Sequence, residues 1–504
     1  MKTVLCATYE GIEAKVVDVE VTLTKGLPSF SIVGIASASI NEAKERVKSA
    51  LLSNNFSFPP KRITINLSPS DLKKEGSHFD LSIALLIALE NSDLELNEWF
   101  VFGELGLDGK IKENIYIYPL ILSLAKQQKI KKVLVPSSAT NKLSKIPNIE
   151  FYGVENLQEA IDFFQADQTQ RPRAVEKESF EYPFYELEGV KYYYRKEYEE
   201  DFIDVRGQEI AKRAALIAAA GFHNILFEGS PGCGKSMIAK RMQYILPALS
   251  HQELLELAKL DALEMKEPDF LPCRNFRAPH HTATAASIFG GGSHRAMIGE
   301  VGLAHKSILF FDELPHFSKP VLEALREPMQ DNRIRISRVN AKVEYPSDFL
   351  FVGAMNPCPC GNLLAKDLEC RCNEAEIQRY KSRLSDPFLD RIDLMVVMQE
   401  STKDDTVSFS SKELHKKVLE ANIFAKQRGQ ESFNAKLNDA DVEEYCSLRE
   451  DAEEILQKAI ERYKLSFRGI KKVKKVARTI ADLEQSYEIT KEHLFEALSY
   501  RHRR

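Results

Sequence analysis

Short apolar runs bounded by glycine, proline or charge recur along this chain, and their period changes with position. Within residues 1–165, Ser29 to Ile35, Arg62 to Leu67 and Val133 to Pro136 read as strands. Ala38 to Leu52 and Leu81 to Leu89 instead repeat their apolar positions at helical spacing. Together they predict one compact α/β domain. Residues 166–200 are polar, charged and tyrosine-rich with little periodicity, and read as a linker. From Phe202 the order becomes helix, strand, glycine-rich turn, helix, continuing to a buried strand at Phe349 to Ala354. That alternation across residues 201–400 predicts a parallel sheet flanked by helices. Residues 401–504 are almost wholly helical and charged, the profile of a small helical lid.

At 504 residues the chain has room for roughly three domains. A hydrophobic content of 44% and a charged content of 28% are ordinary for a globular protein. The N-terminus brings in an acid too early for a signal peptide. No stretch approaches the ~20 apolar residues of a membrane helix, so a cytoplasmic protein with no membrane contact is expected. A net charge of −5 argues against coating nucleic acid through the overall field, and leaves a local basic pore open. In that compartment the eight cysteines are expected to be reduced.

The chemistry concentrates at three strand ends. Ile225 to Glu228 runs into Gly229-Ser230-Pro231-Gly232-Cys233-Gly234-Lys235-Ser236 and then into a helical stretch, Met237 to Ile245. Strand, G-x-x-x-x-G-K-S, helix is the context of a phosphate-binding loop. Its glycines let backbone N–H groups converge on phosphate oxygens, and the helix start adds its positive end. Lys235 is expected on the β- and γ-phosphates of ATP, and the Ser236 hydroxyl on Mg²⁺. Ser307 to Phe311 is a buried-strand run that ends in Asp312-Glu313. Asp312 fits Mg²⁺, and Glu313 fits the general base that activates the attacking water. A solvated acidic turn is the plain alternative. The third run ends at Asn356, a candidate sensor of the γ-phosphate, against the alternative of an Asn capping a turn before Pro357.

Taken in order, GSPGCGKS, FFDELPHF, AMNPCPCG, RLSDPFLDRIDL and VARTIADL resemble the ComM/YifB family, the Mg-chelatase-like branch of the AAA+ ATPases. GLPSFSIVGI, KRITINLSPSDLKKEGSHFDL and FGELGLDGKI resemble the same family's Lon-like domain, of the ribosomal S5 domain 2-like fold. The resemblance implies an AAA+ core with a helical lid, a homo-hexameric ring, and ATP bound between subunits. It implies that Arg391 is an arginine finger supplied in trans, worth ~10³ or more in rate, and that Arg468 is a second sensor arginine. Surface salt bridges are the alternative for both arginines. The resemblance also implies a helicase that drives branch migration while single-stranded DNA is integrated. A chelatase-type motor that remodels a protein partner stands beside that reading, because the nucleotide motifs alone fit either.

Two segments are candidates for touching DNA. Asp331 to Tyr345 alternates basic and apolar residues and reads as a β-hairpin turning near Val339-Asn340. Arg333, Arg335 and Arg338 lie on its outgoing arm and Lys342 on its return, where they would track phosphates from a ring pore. A solvated hairpin face competes with that reading. Ala285 to Met297 carries three consecutive glycines, with Phe289, His294 and Arg295 placed to grip a strand or simply to form a flexible loop. In the lysine-rich run 468–478, Ile470, Val473, Ala477 and Ile480 mark a buried helical face, and the lysines are expected on the wet side.

Cys358-Pro-Cys360 and Cys370-Arg-Cys372 crowd four thiols into one segment, which points to a structural Zn²⁺ site, with free reduced cysteines as the alternative. In the first domain, His78 stands where a Lon-like serine nucleophile would be, and Ser77 is one position off. The partner region around Tyr118 has no lysine, so no peptidase activity is expected.

Overall fold

The computed structural model describes every residue except 1, 57, 168, 292–296, 338–341, 367, 401–405 and 502–504. The chain divides into two units. One comprises residues 1–181 together with 254–270, and the other residues 182–253 together with 271–504.

The first unit is built on a seven-stranded mixed sheet. Its order is Ser29–Val33, Arg62–Ser68, Glu13–Thr24, Lys2–Glu10, Trp99–Val101, Lys132–Pro136, Glu150–Val154. Strand Lys2–Glu10 pairs antiparallel over its whole length with residues 13–21 of Glu13–Thr24, and the last three strands run parallel. Helix Ala38–Ser53 buries Ile40, Ala43, Val47, Ala50 and Leu51, the positions that its 3.6-residue period brings to one face. Residues 254–270, which interrupt the second unit in sequence, belong here. Lys259 donates to Glu13 at 2.8 Å, and Lys126 to Glu256 at 2.8 Å.

The second unit holds a five-stranded, all-parallel sheet ordered Phe276–Arg277, Ile308–Phe311, Leu350–Met355, Ile225–Gly229, Leu394–Met398. Both faces are covered, so the strands Ile308–Phe311 and Leu350–Met355 are apolar throughout, and successive side chains alternate sides. Ile225, Phe227, Ile308, Phe310, Leu350 and Val352 face one core, shared with Val418, Val473, Ala477, Ile480 and Leu494 of the C-terminal helices. Leu226, Leu309, Phe311 and Phe351 face a second core with Phe317, Leu322, Leu325 and Phe388. The C-terminal portion is helical, with Ser411–Gln427, Glu450–Tyr463, Phe467–Leu483 and Lys491–Ser499 as its longest helices. The stretch after residue 181 also contributes to this unit: Phe184–Leu187 and Val190–Tyr193 form a hairpin that pairs with Leu249–Ser250. Among the described residues no helix is long and apolar enough to cross a membrane.

Candidate nucleotide site and cysteine cluster

Three neighbouring strands of the parallel sheet deliver their carboxyl ends to one place, which is where ligands bind in open α/β sheets. Ile225–Gly229, at their centre in the chemistry, passes into the glycine-rich loop and then into helix Lys235–Arg241. Gly232 and Gly234 take left-handed φ of +81° and +96°, which glycine adopts without steric cost. Lys235, nearly buried, donates from Nζ to the carbonyls of Gly229 at 2.6 Å and Ser230 at 2.9 Å, and to Asn356 Oδ1 at 3.1 Å. Asn356 follows strand Leu350–Met355, so the lysine ties two adjacent strand ends together.

The acidic pair completes the cluster. Ser236 Oγ donates to Asp312 Oδ2 at 2.8 Å, and Asp312 Oδ1 accepts the Glu313 backbone N–H at 2.9 Å. A hydroxyl beside a carboxylate is a hard-oxygen donor set that suits Mg²⁺. Glu313 has φ +49°, a left-handed conformation that a non-glycine residue adopts only when its surroundings hold it there. Its carboxylate lies 3.5 Å from His281 Nδ1. Lys235, Ser236, Asp312, Glu313 and Asn356 are therefore assembled together. His281 is an addition to the site: its sequence suggests only a hydrogen-bonding histidine, and nothing local signals the contact with Glu313.

Arg391 and Arg468 sit elsewhere. Arg391 Nε donates to the Arg326 carbonyl at 3.0 Å and Nη2 to Gln330 Oε1 at 2.7 Å. Among the described residues no hydrogen bond or ion pair joins it to Lys235, Ser236, Asp312 or Glu313. Burial, then the charges of Arg326 and Arg468, hold its guanidinium below the usual value, so the two candidate arginines share one cationic neighbourhood. Arg468 is exposed near the start of helix Phe467–Leu483. The backbone around Arg391 is fixed by Asn224, whose Nδ2 donates to the Arg391 carbonyl at 2.9 Å while its N–H reaches Asp393 Oδ2 at 3.0 Å.

The lysine-rich run corrects one expectation. Val473, Ala477 and Ile480 are buried as the period predicts, yet several cations beside them also turn inward. Lys472 pairs with Asp393 at 2.9 Å, and Lys475 donates to the carbonyls of Ala435 and Leu437 at 3.2 and 2.6 Å. Arg478, fully buried, bonds Asp482 at 3.0 Å. Buried acceptors, rather than solvent, take these charges.

The basic hairpin pairs Arg333–Ser337 antiparallel with Lys342–Pro346. Ile334 and Tyr345 face the core, while Arg333 and Arg335 face out and both bond Glu344, at 3.0 Å each. Arg338 and Arg295 lie outside the described residues, as does the side chain of Lys342. Phe289 is half-buried against the second core.

The four clustered cysteines converge. Their sulfurs lie within 4.8 Å of one another, with Cys358–Cys360 at 3.4 Å, Cys358–Cys370 at 3.7 Å and Cys360–Cys370 at 3.6 Å. These spacings are too long for a disulfide, ~2.05 Å, and all eight cysteines are free. Four sulfurs at ~2.3 Å from one zinc stand about 3.8 Å apart by tetrahedral geometry. Backbone N–H groups of Asn362 and Arg371 pull the Cys360 thiol down to about 6. Number, chemistry and spacing thus fit a single zinc ion.

Comparison with known proteins reaches 97% of the chain. The family described as "Magnesium chelatase, subunit ChlI" matches residues 201–406, "Subunit ChlI of Mg-chelatase" residues 19–139, and "Magnesium chelatase, subunit ChlI C-terminal" residues 408–501. Competence protein ComM of Haemophilus influenzae is 37% identical over 97% of this chain and 95% of its own. YifB of Escherichia coli is 36% identical with the same coverage. A protein of Mycobacterium tuberculosis is 32% identical over 97% of this chain and 96% of its own. Likeness at that level, over 97% of its length, makes this chain a member of the ComM/YifB family of Mg-chelatase-like AAA+ proteins.

Proposed function

We propose that this chain is the ATP-hydrolysing subunit of a ring motor that acts on DNA, driving branch migration as single-stranded DNA is integrated. The observation that carries the reading is the meeting of Lys235, Ser236, Asp312, Glu313 and Asn356 at the carboxyl ends of adjacent parallel strands. Lys235 would neutralise charge on the β- and γ-phosphates, and Asn356 would orient the γ-phosphate beside it. Ser236 and Asp312 would hold Mg²⁺, which supplies charge stabilisation to the phosphates when bound. Glu313 takes the proton of the attacking water, with His281 limiting where its carboxylate swings.

The separation of Arg391 from its own chain's phosphate loop supports service in trans, in a hexamer whose neighbouring subunits complete each pocket. In the same reading residues 1–165 are a Lon-like domain without peptidase chemistry, and the C-terminal helices are a lid over the nucleotide. The Ser77 hydroxyl is engaged by the Glu104 carboxylate and Asn114, and Lys74 is bound to the Pro69 carbonyl, so among the described residues no hydrogen bond joins that serine to a lysine. The competence naming of the Haemophilus relative supports a role in handling incoming DNA, in the cytoplasm.

A chelatase-type motor acting on a protein partner is the second reading. It is favoured by Glu344, which occupies two of the hairpin arginines. ATP turnover with and without forked or three-stranded DNA, at two salt concentrations, separates the two. Stimulation that fades with salt, together with strand displacement, is expected. Neither stimulation nor displacement would remove the helicase reading.

A further inference from the structure

We propose that Cys358, Cys360, Cys370 and Cys372 bind one zinc ion that clasps residues 357–373 against the phosphate loop. Nucleotide affinity is then set by a metal that touches no phosphate. The inference rests on the nucleotide reading above and concerns the regulation of that site.

The segment has no core of its own. Among its described residues the one regular element is the 3₁₀ turn Asn362–Leu364, and Leu363, Leu364 and Leu368 are exposed. Cys358 alone among the four thiols is buried. Thiol hydrogen bonds are weak, and closing the loop between the two cysteine pairs costs chain entropy. A metal supplies that closure, since binding free energy at such a site is folding free energy. All four sulfurs within 4.8 Å of one another enclose a single ion rather than a multi-iron cluster.

What the clasp holds is the wall of the nucleotide site. Two residues before Cys358, Asn356 accepts the hydrogen bond from Lys235. Just past Cys360, Gly361 (φ +84°) packs so closely on the phosphate loop that an added Cβ would lie 2.7 Å from Cδ and Cγ of Pro231. Beyond Cys372, Lys381 pairs with Glu228 of the phosphate-loop strand at 2.8 Å. Arg383 donates to the Pro315 carbonyl, just after Glu313, at 3.0 Å. Three of these contacts flank the cysteines and the fourth, at Gly361, lies between the two pairs, so releasing the metal frees the loop end at Gly361 while the flanks stay anchored.

The test uses the full-length protein, metal analysis and titration with a fluorescent ATP analogue. Protein as purified should carry stoichiometric zinc with no visible absorption. Stripping with a high-affinity zinc chelator under reducing conditions should weaken the analogue's affinity roughly tenfold or more, with far-UV circular dichroism unchanged, and added zinc should restore it. Cys370→Ser with Cys372→Ser should reproduce the stripped state. Gly361→Ala should keep zinc yet lose affinity. Iron or no metal at this site, a stripped protein with unaltered affinity, or zinc-loaded Gly361→Ala that binds like wild type would overturn the proposal; should the double variant not fold, the chelator series decides. Zinc-loaded wild type that binds no nucleotide would instead sink the nucleotide reading itself.

Discussion

Asp393→Ala removes a carboxylate that is 11% exposed and serves three neighbours at once. Asp393 Oδ2 accepts the Asn224 N–H at 3.0 Å, Oδ1 pairs with Lys472 at 2.9 Å, and His223 Nδ1 lies 3.8 Å away. Breaking a buried ion pair costs about 3–5 kcal/mol, within which an orphaned backbone N–H alone accounts for ~1–3 kcal/mol. Lys472 keeps the Ile392 carbonyl at 3.2 Å and is 18% exposed, which places the loss near the lower end, ~3 kcal/mol. For a unit of this size ~2 °C per kcal/mol predicts a fall in melting temperature of roughly 6 °C. Asn224 also holds the Arg391 carbonyl, so ATP turnover should fall further than ATP affinity.

The pH dependence follows from the same contacts. Burial opposes ionisation of Asp393, and attraction to Lys472 and His223 outweighs it, holding the carboxyl well below its usual range. A depressed carboxyl contributes stability that is full above the unfolded value, ~3.9, and is lost as pH falls through the folded value. The gap in melting temperature between wild type and Asp393→Ala, read by scanning calorimetry, should therefore be constant near neutrality and narrow below about pH 4. No measurable gap at pH 7, or a gap undiminished in acid, would refute the reasoning.

Glu344→Ala should release Arg333 and Arg335 from their shared carboxylate, tightening DNA binding and steepening its salt dependence by up to about two phosphate contacts. Unchanged affinity in a fluorescence-anisotropy titration would remove the hairpin from the DNA surface. Arg391→Ala should bind ATP normally and lose ~10³ in turnover. Mixed with a Lys235→Ala chain, it should regain part of its activity in rings where each chain supplies what the other lacks, and failure of every mixture would argue against a finger acting in trans.

The local motifs were legible in the sequence because their information is local. Strand, glycine-rich loop and helix are contiguous, so residues 225–241 could be placed without the rest of the chain. The acidic pair and Asn356 were legible as strand ends, since buried parallel strands appear as apolar runs. Their meeting around one nucleotide was expected from the roles the motifs share, while the strand order that delivers it depends on long-range pairing and carries no local mark. Helical period finds Val473, Ala477 and Ile480 but is blind to polar partners, so it puts Lys472 and Lys475 on the wet side although both reach inward acceptors. Glu344 becomes a partner of Arg335 only once the register sets them opposite each other. The transfer of residues 254–270 to the first unit has no compositional mark at all; Lys259 reaching Glu13 is what reveals it.

The most direct measurement is ATP binding and turnover by the wild-type protein beside Lys235→Ala and Glu313→Gln. Binding should be lost in the first variant and retained in the second, whose turnover should drop by ~10²–10⁴. Equal binding by all three, or near-normal turnover by Glu313→Gln, would contradict a phosphate site built from these strand ends.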